Sequence, residues 1–166
     1  MTLKPYQVHL AMGAGCVVGL AIALNYLQAK LGLLPCPMCV IQRIFFIAIA
    51  VIALIAGAHR PLGMTRRIYD ALLALFALAG IGESGWQVWL TYHPQLAECG
   101  ISVEEKLLNS LPIAKWWPAM FEANGDCTSV TWTLFGLSVP ELSLIAFILL
   151  FALALFAASL AASRKA

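Results

Sequence analysis

Residues 35–58 read Pro-Cys-Pro-Met-Cys-Val-Ile-Gln-Arg-Ile-Phe-Phe-Ile-Ala-Ile-Ala-Val-Ile-Ala-Leu-Ile-Ala-Gly-Ala, a Cys-x-x-Cys pair at the mouth of an apolar run. The run sets the fold class. Val40 to Ala58 is long enough to cross a hydrocarbon core ~30 Å thick as a helix rising ~1.5 Å per residue. Ile44 to Ala58 alone is too short, so Gln42 and Arg43 belong inside the span or at its edge. An arginine that deep is costly and is a functional candidate. If a helix opens at this point, Pro37 suits its first position, where the missing N–H costs nothing. Cys36 is then the N-cap and Cys39 lies in the first turn, where free N–H groups and the positive helix end favour a thiolate. Arg43 follows one turn beyond Cys39 on the same face and adds a fixed positive charge. By spacing alone, the cysteine pair is either a redox couple or half of a metal site.

The rest of the chain agrees with a membrane setting. Of its 166 residues, 62% are hydrophobic and 11% charged, with a mean hydropathy of +0.89. A soluble domain is about half apolar and roughly a quarter charged. A net charge of +2 and no basic cluster beyond Arg66-Arg67 argue against nucleic-acid binding. Three further apolar runs cover about residues 8–27, 68–90 and 139–160. The first is longer than a signal-peptide core and lacks a clear cleavage site, so it reads as a retained span. Cys16, in its middle, reads as packing. Gly80, Gly82 and Gly85 in the third run invite close helix approach. Glu83 there is either an interfacial carboxylate or a functional acid. The expectation is an all-α integral membrane protein, a four-helix bundle forming one membrane domain over residues 1–166.

Two connections face the side carrying the cysteine pair. The first, about residues 28–40, is short. The second, about 91–136, holds Cys99 and Cys127. Within it, Ser102-Val103-Glu104-Glu105 is a capping box opening a helix that continues through Leu111, and Pro112 ends that helix or starts another. Ile113 to Phe121 is aromatic, apolar and flanked by lysine, which suits a stretch lying flat in the headgroup layer, with a packed loop exposing its tryptophans as the alternative. Asn124-Gly125-Asp126 marks a turn just before Cys127.

Charge orients the bundle. Lys4, Arg60, Arg66, Arg67, Arg164 and Lys165 gather in short segments on the side of the termini and of the basic connection 59–67. An excess of basic residues in short segments marks the cytoplasmic face. Cys36, Cys39, Cys99 and Cys127 therefore face outward, in a bacterium toward the periplasm, where disulfides form and persist. Four outward cysteines have three uses: two static braces, one tetrahedral Cys₄ zinc site, or two redox couples that exchange electrons. Cys99 and Cys127 are far apart in sequence, unlike the close pairs of most structural zinc sites. A static brace has no need of a helix-end thiolate. A redox relay requires an electron sink, and nothing in the sequence suggests a nucleotide, haem or iron–sulfur site. A lipid-soluble quinone reaching the head of the second span fills that role.

Cys36-Pro37-Met38-Cys39-Val40-Ile41-Gln42-Arg43 after a first span, Cys99 in the long outer connection and Gly125-Asp126-Cys127 before the fourth span resemble the disulfide bond formation protein B (DsbB) family. The resemblance covers nearly the whole chain. It implies a bacterial inner-membrane thiol oxidase that reoxidises DsbA, a periplasmic thioredoxin-like dithiol oxidase, and passes electrons to ubiquinone or menaquinone. It implies, by position, that Cys99–Cys127 meets the partner through Cys99, that Cys127 exchanges with Cys36, and that Cys39 is left as the thiolate beside the quinone. Arg43 matches an arginine that assists quinone binding and stabilises that thiolate. The resemblance also implies an interloop Cys36–Cys127 intermediate, and a four-helix bundle with a short membrane-parallel helix in the second periplasmic loop, in agreement with the reading of Trp116-Trp117. Relatives can carry a histidine near the outer end of the third span, associated with the quinone. Glu83-Ser84-Gly85-Trp86 has none, and His93 lies closer to Cys99. Histidine is therefore left out of the expected quinone site, with Glu83 and Trp86 as weak candidates.

Overall fold

The structure, a computed structural model, describes residues 4–96, 103–130 and 132–162. Four helices are long and apolar enough to cross a membrane. The first is α1 (Pro5–Ile22), which continues as a π-helical turn over Ala23–Gln28. The others are α2 (Pro37–His59), α3 (Gly63–Tyr92) and α7 (Val139–Ala162). Between α3 and α7 lie α4 (Val103–Ser110), α5 (Pro112–Trp116), α6 (Pro118–Phe121) and a two-stranded hairpin, β1 (Thr133–Leu134) with β2 (Leu137–Ser138). α1 packs on α2, α2 on α3, α3 on α7 and α7 back on α1, which closes the bundle.

Local chemistry sets the helix ends. α2 opens on Cys36, whose sulfur accepts from Cys39 N–H at 3.3 Å, with Pro37 at the first helical position. It stops at Arg60, which turns left-handed at φ 48° just before Pro61. α3 starts at Gly63, so much of the basic connection expected over 59–67 is helix. α7 opens on a Ser138–Glu141 pair missed in the sequence: Glu141 Oε2 reaches back to accept from both the N–H and the hydroxyl of Ser138, each at 2.7 Å, the glutamate half of a capping box. Tyr92 O–H donates to the other Glu141 oxygen at 2.9 Å and ties the ends of α3 and α7 together.

The core is built from small residues that admit large ones. Met12, Ile49, Leu73 and Phe147 are fully buried among Ala53, Ala77 and Ala157. Phe46 stacks on Phe147 with ring centroids 4.2 Å apart. Gly80 lies under that ring: a Cβ there would sit 2.4 Å from Phe147, so the close approach expected of this glycine is real. Gly82 and Gly85 differ, because a Cβ at either meets nothing within 4 Å. They face away from the packed seam, since a helix presents only one stripe to its neighbours. Cys16 is buried in the core, as expected of a packing cysteine.

A buried ionic group sits at the bundle end away from Cys36. His9 Nε2 lies 2.7 Å from Asp70 Oδ1, Arg66 Nε lies 3.5 Å from Asp70 Oδ2, and Arg66 also donates to the Ala157 carbonyl. This group joins α1, α3 and α7. Removing one partner of a buried pair leaves a stranded charge and costs ~3–5 kcal/mol. Asp70→Ala is accordingly expected to lower the thermal unfolding midpoint in detergent sharply, and an unchanged midpoint would show that the group does not hold the helices.

Candidate redox site at the head of the second helix

The segment after α6 is clamped onto the start of α2 by four sets of contacts. Val40, Leu108 and Ala123 form a small buried cluster with Ile41 and Phe121 packed against it. Asn109 bonds Ala123 in both directions, each at 2.9 Å, which fixes α4 to this segment. Arg43 Nη1 donates to the carbonyls of Ala119 at 3.0 Å and Met120 at 3.4 Å. The N–H groups of Asn124 and Gly125 both donate to the Pro35 carbonyl at 3.0 Å. The expected turn at Asn124-Gly125-Asp126 thus docks directly on the first outer connection. A Cβ at Gly125 would lie 2.3 Å from the Leu34 carbonyl oxygen, so glycine is required there by space.

This docking brings three sulfurs together. Cys36 Sγ donates to Cys39 Sγ at 2.7 Å, against ~2.05 Å for a disulfide. Cys127, just past the docked turn, lies close enough to Cys36 for each thiol to act on the other's ionisation. Cys99 lies outside the described residues. The neighbouring Cys127 and Cys39 thiols, with burial, push the Cys36 thiol well above the usual range. The neighbouring Cys36 thiol holds Cys127 below that range, against the opposing effect of burial. Cys127 is then the more readily ionised of the two and Cys36 the proton donor. A thiolate reacts where a thiol does not, so the sign is clear. In a Cys99→Ser background, reduced Cys127 should be alkylated faster near pH 7 than an ordinary thiol with a pKa of ~8.5. Cys36→Ala should slow it several-fold at pH 7 with little change above pH ~9, where any thiol is ionised. Equal rates in both backgrounds would remove Cys36 as the cause.

A residue that sequence reasoning missed completes the group. Gln87, on α3 and 2% exposed, donates its amide to Cys36 Sγ at 3.2 Å and to Cys39 Sγ at 3.5 Å. Its oxygen accepts from Gln42 Nε2 at 2.6 Å. Gln42, 3% exposed, thereby fixes which end of the Gln87 amide faces the sulfurs. The available signal was a glutamine inside an apolar span, one residue from the weak candidate Trp86. Trp86 itself is exposed and stacks on Trp89, which stacks in turn on His93. Neither Trp86 nor Glu83 lines the cavity beside the cysteines.

That cavity measures about 360 Å³, within the size range of small-ligand pockets. Cys36, Cys39, Arg43 and Gln87 line one part, and apolar Leu27, Leu33, Trp132 and Val139 line another. Arg43 is only 8% exposed and commits Nη1 to the α6 carbonyls, while a guanidinium carries five N–H groups in all. Guanidinium donors beside apolar walls suit a flat apolar ring bearing a carbonyl acceptor. Over the long connection, Trp116 and Trp117 are exposed while Ala114 and Met120 are buried, so α5 and α6 present aromatic rings outward. Among the described residues, no group of three or more His, Cys, Asp or Glu is arranged to hold a metal ion.

Comparison with known proteins gives a consistent result. The family model described as disulfide bond formation protein DsbB matches residues 5–157. A protein of Nitrosospira multiformis named disulfide bond formation protein B is 48% identical over 155 residues, 93% of this chain and 92% of that one. One of Nitrosomonas europaea with the same name is 50% identical over 130 residues, 78% of this chain and 79% of that one. A third, from Methylobacillus flagellatus, is 40% identical over 152 residues, 90% of this chain and 87% of that one.

Proposed function

The chain belongs to the DsbB family of disulfide-forming membrane oxidoreductases, and from that premise we propose that it reoxidises a DsbA-like thioredoxin-fold dithiol oxidase and delivers the electrons to a membrane quinone. The metal-binding alternative is not favoured by this membership. One observation carries the proposal: the docked turn of the long connection brings Cys127 beside Cys36, whose sulfur lies 2.7 Å from Cys39 Sγ. Sulfurs arranged in series support stepwise exchange, because each step needs a thiolate in line with a disulfide sulfur.

The electron and bond balance is as follows. A partner thiolate attacks Cys99 of the Cys99–Cys127 disulfide and releases the Cys127 thiolate. The partner's second thiolate then attacks its own mixed disulfide, leaves as the oxidised partner and frees Cys99. Cys127 attacks Cys36 of the Cys36–Cys39 disulfide, forming Cys36–Cys127 and releasing the Cys39 thiolate. Cys99 next attacks Cys127, which restores the outer disulfide and frees Cys36. A quinone, ubiquinone or menaquinone, supplies when bound a two-electron, two-proton acceptor beside Cys39. Arg43, through guanidinium N–H groups other than those of Nη1, is the residue that would hold its carbonyl end, with Leu27, Leu33 and Val139 against its apolar face. Any acceptor more oxidising by ~30 mV adds about 1.4 kcal/mol of drive to the two-electron transfer.

The orientation belongs to the same proposal: an inner-membrane protein with both termini cytoplasmic and the redox cysteines periplasmic. Lys4, Arg60, Arg66 and Arg67 support it, gathered at the end opposite Cys36. Purified protein in lipid discs, given quinone and a reduced thioredoxin-fold partner, is expected to convert partner dithiol to disulfide with stoichiometric quinone reduction. Cys39→Ser should abolish turnover. Undiminished quinone reduction in that variant would sink the assignment.

A further inference from the structure

A second cavity, of about 490 Å³, opens at the other end of the bundle between the start of α1, the end of α2 and the start of α3. Four fixed cations line it, Lys4, Arg60, Arg66 and Arg67, and no acidic residue does. Asp70 lies behind it and is taken up by His9 and Arg66. Arg60 rests over the Tyr6 ring at 4.5 Å, and among the described residues neither it nor Lys4 nor Arg67 has an ion-pair partner.

Two further observations point to an anion. α3 begins at Gly63, on the cavity wall, with no side chain capping its first N–H groups. Such a helix start favours phosphate through its free N–H groups and its dipole. His9 also lines the cavity and is 1% exposed; its Nε2–H is on Asp70, while Nδ1 is buried without a partner and is an N–H donor for an anion in the imidazolium form. The rim is apolar: Leu62 is 85% exposed and Met64 70%. Cations around an uncapped helix start suit a phosphate group, and an apolar rim suits the chains attached to one.

We propose that this cavity binds a phosphate group, carried by the headgroup of an anionic phospholipid. The proposal is independent of the redox reading, since no residue is shared between the two sites. The test is native mass spectrometry of the full chain in neutral detergent, titrated separately with phosphatidylglycerol, phosphatidylcholine and inorganic phosphate. One phosphatidylglycerol should be retained in preference to phosphatidylcholine and be displaced by excess inorganic phosphate. Arg60→Gln/Arg67→Gln alters two exposed side chains and should weaken retention roughly 25-fold, each basic residue near anionic lipid being worth about a factor of five. Lys30→Gln/Lys115→Gln, at the opposite end, should leave it unchanged. Binding of inorganic phosphate without lipid preference would keep the phosphate site and overturn its lipid source. Equal retention of the two lipids with no phosphate binding, or retention undiminished in the double-arginine variant, would overturn the proposal.

Discussion

Gly125→Ala is expected to cut oxidation of a dithiol partner by about 100-fold, the scale of loss when reacting groups are misplaced by ~1 Å. The cause is steric. The added methyl would sit 2.3 Å from the Leu34 carbonyl oxygen and 3.0 Å from Cys36 N, both backbone atoms that no rotamer change can move. The turn must withdraw, and it then gives up the bonds from Asn124 and Gly125 to Pro35. Cys127 follows it away from Cys36. The direct readout is disulfide trapping. In a Cys39→Ser/Cys99→Ser background, mild oxidation should join Cys36 to Cys127 readily with Gly125 and poorly with alanine. The helical signature of the protein should be unchanged, since Gly125 lies outside the bundle. Equal trapping in the two proteins would mean that the docked turn does not place Cys127.

Gln87→Leu should have the next largest effect and should divide the cycle in two. Loss of a hydrogen bond to a charged group costs ~1.5–3 kcal/mol, which is roughly a ten- to hundred-fold change in rate. Here the loss falls on Cys36 and Cys39, and it also strands the buried Gln42 amide. In the proposed relay, exchange between the partner and Cys99–Cys127 does not involve Gln87. A single turnover of partner oxidation should therefore keep its rate, while steady-state turnover with quinone falls. Gln87→Glu should fall further, because a carboxylate facing two sulfurs repels the developing thiolate. A fall in the single-turnover rate equal to the steady-state fall would point instead to general damage at the site.

Much of this was legible in the chain, and what was not has a physical reason. The spans follow from composition, and the opening of α2 follows from one proline beside two cysteines, because those signals are local. Helix ends were less clear: α3 starts at Gly63 rather than near Ile68, since arginines beside a span form helix as readily as loop. Gln87 and the His9–Asp70 pair were invisible for another reason. Their meaning lies in partners 51 and 61 residues away, and periodicity says nothing about which polar faces meet. The hairpin of β1 and β2 turns on Phe135 and Gly136, both at positive φ. Phe135 is an unusual residue for that geometry, so the turn carries only half of its usual signal.

Arg43 is moored to the outer segment rather than standing free in the bilayer. Its Nη1 hangs on the carbonyls of Ala119 and Met120 in α6, a helix of four residues. A guanidinium tied in this way is not free to drift toward the headgroups, so its charge stays level with the first turn of α2. The outer connection thereby sets the depth of a cation that the bilayer alone would expel.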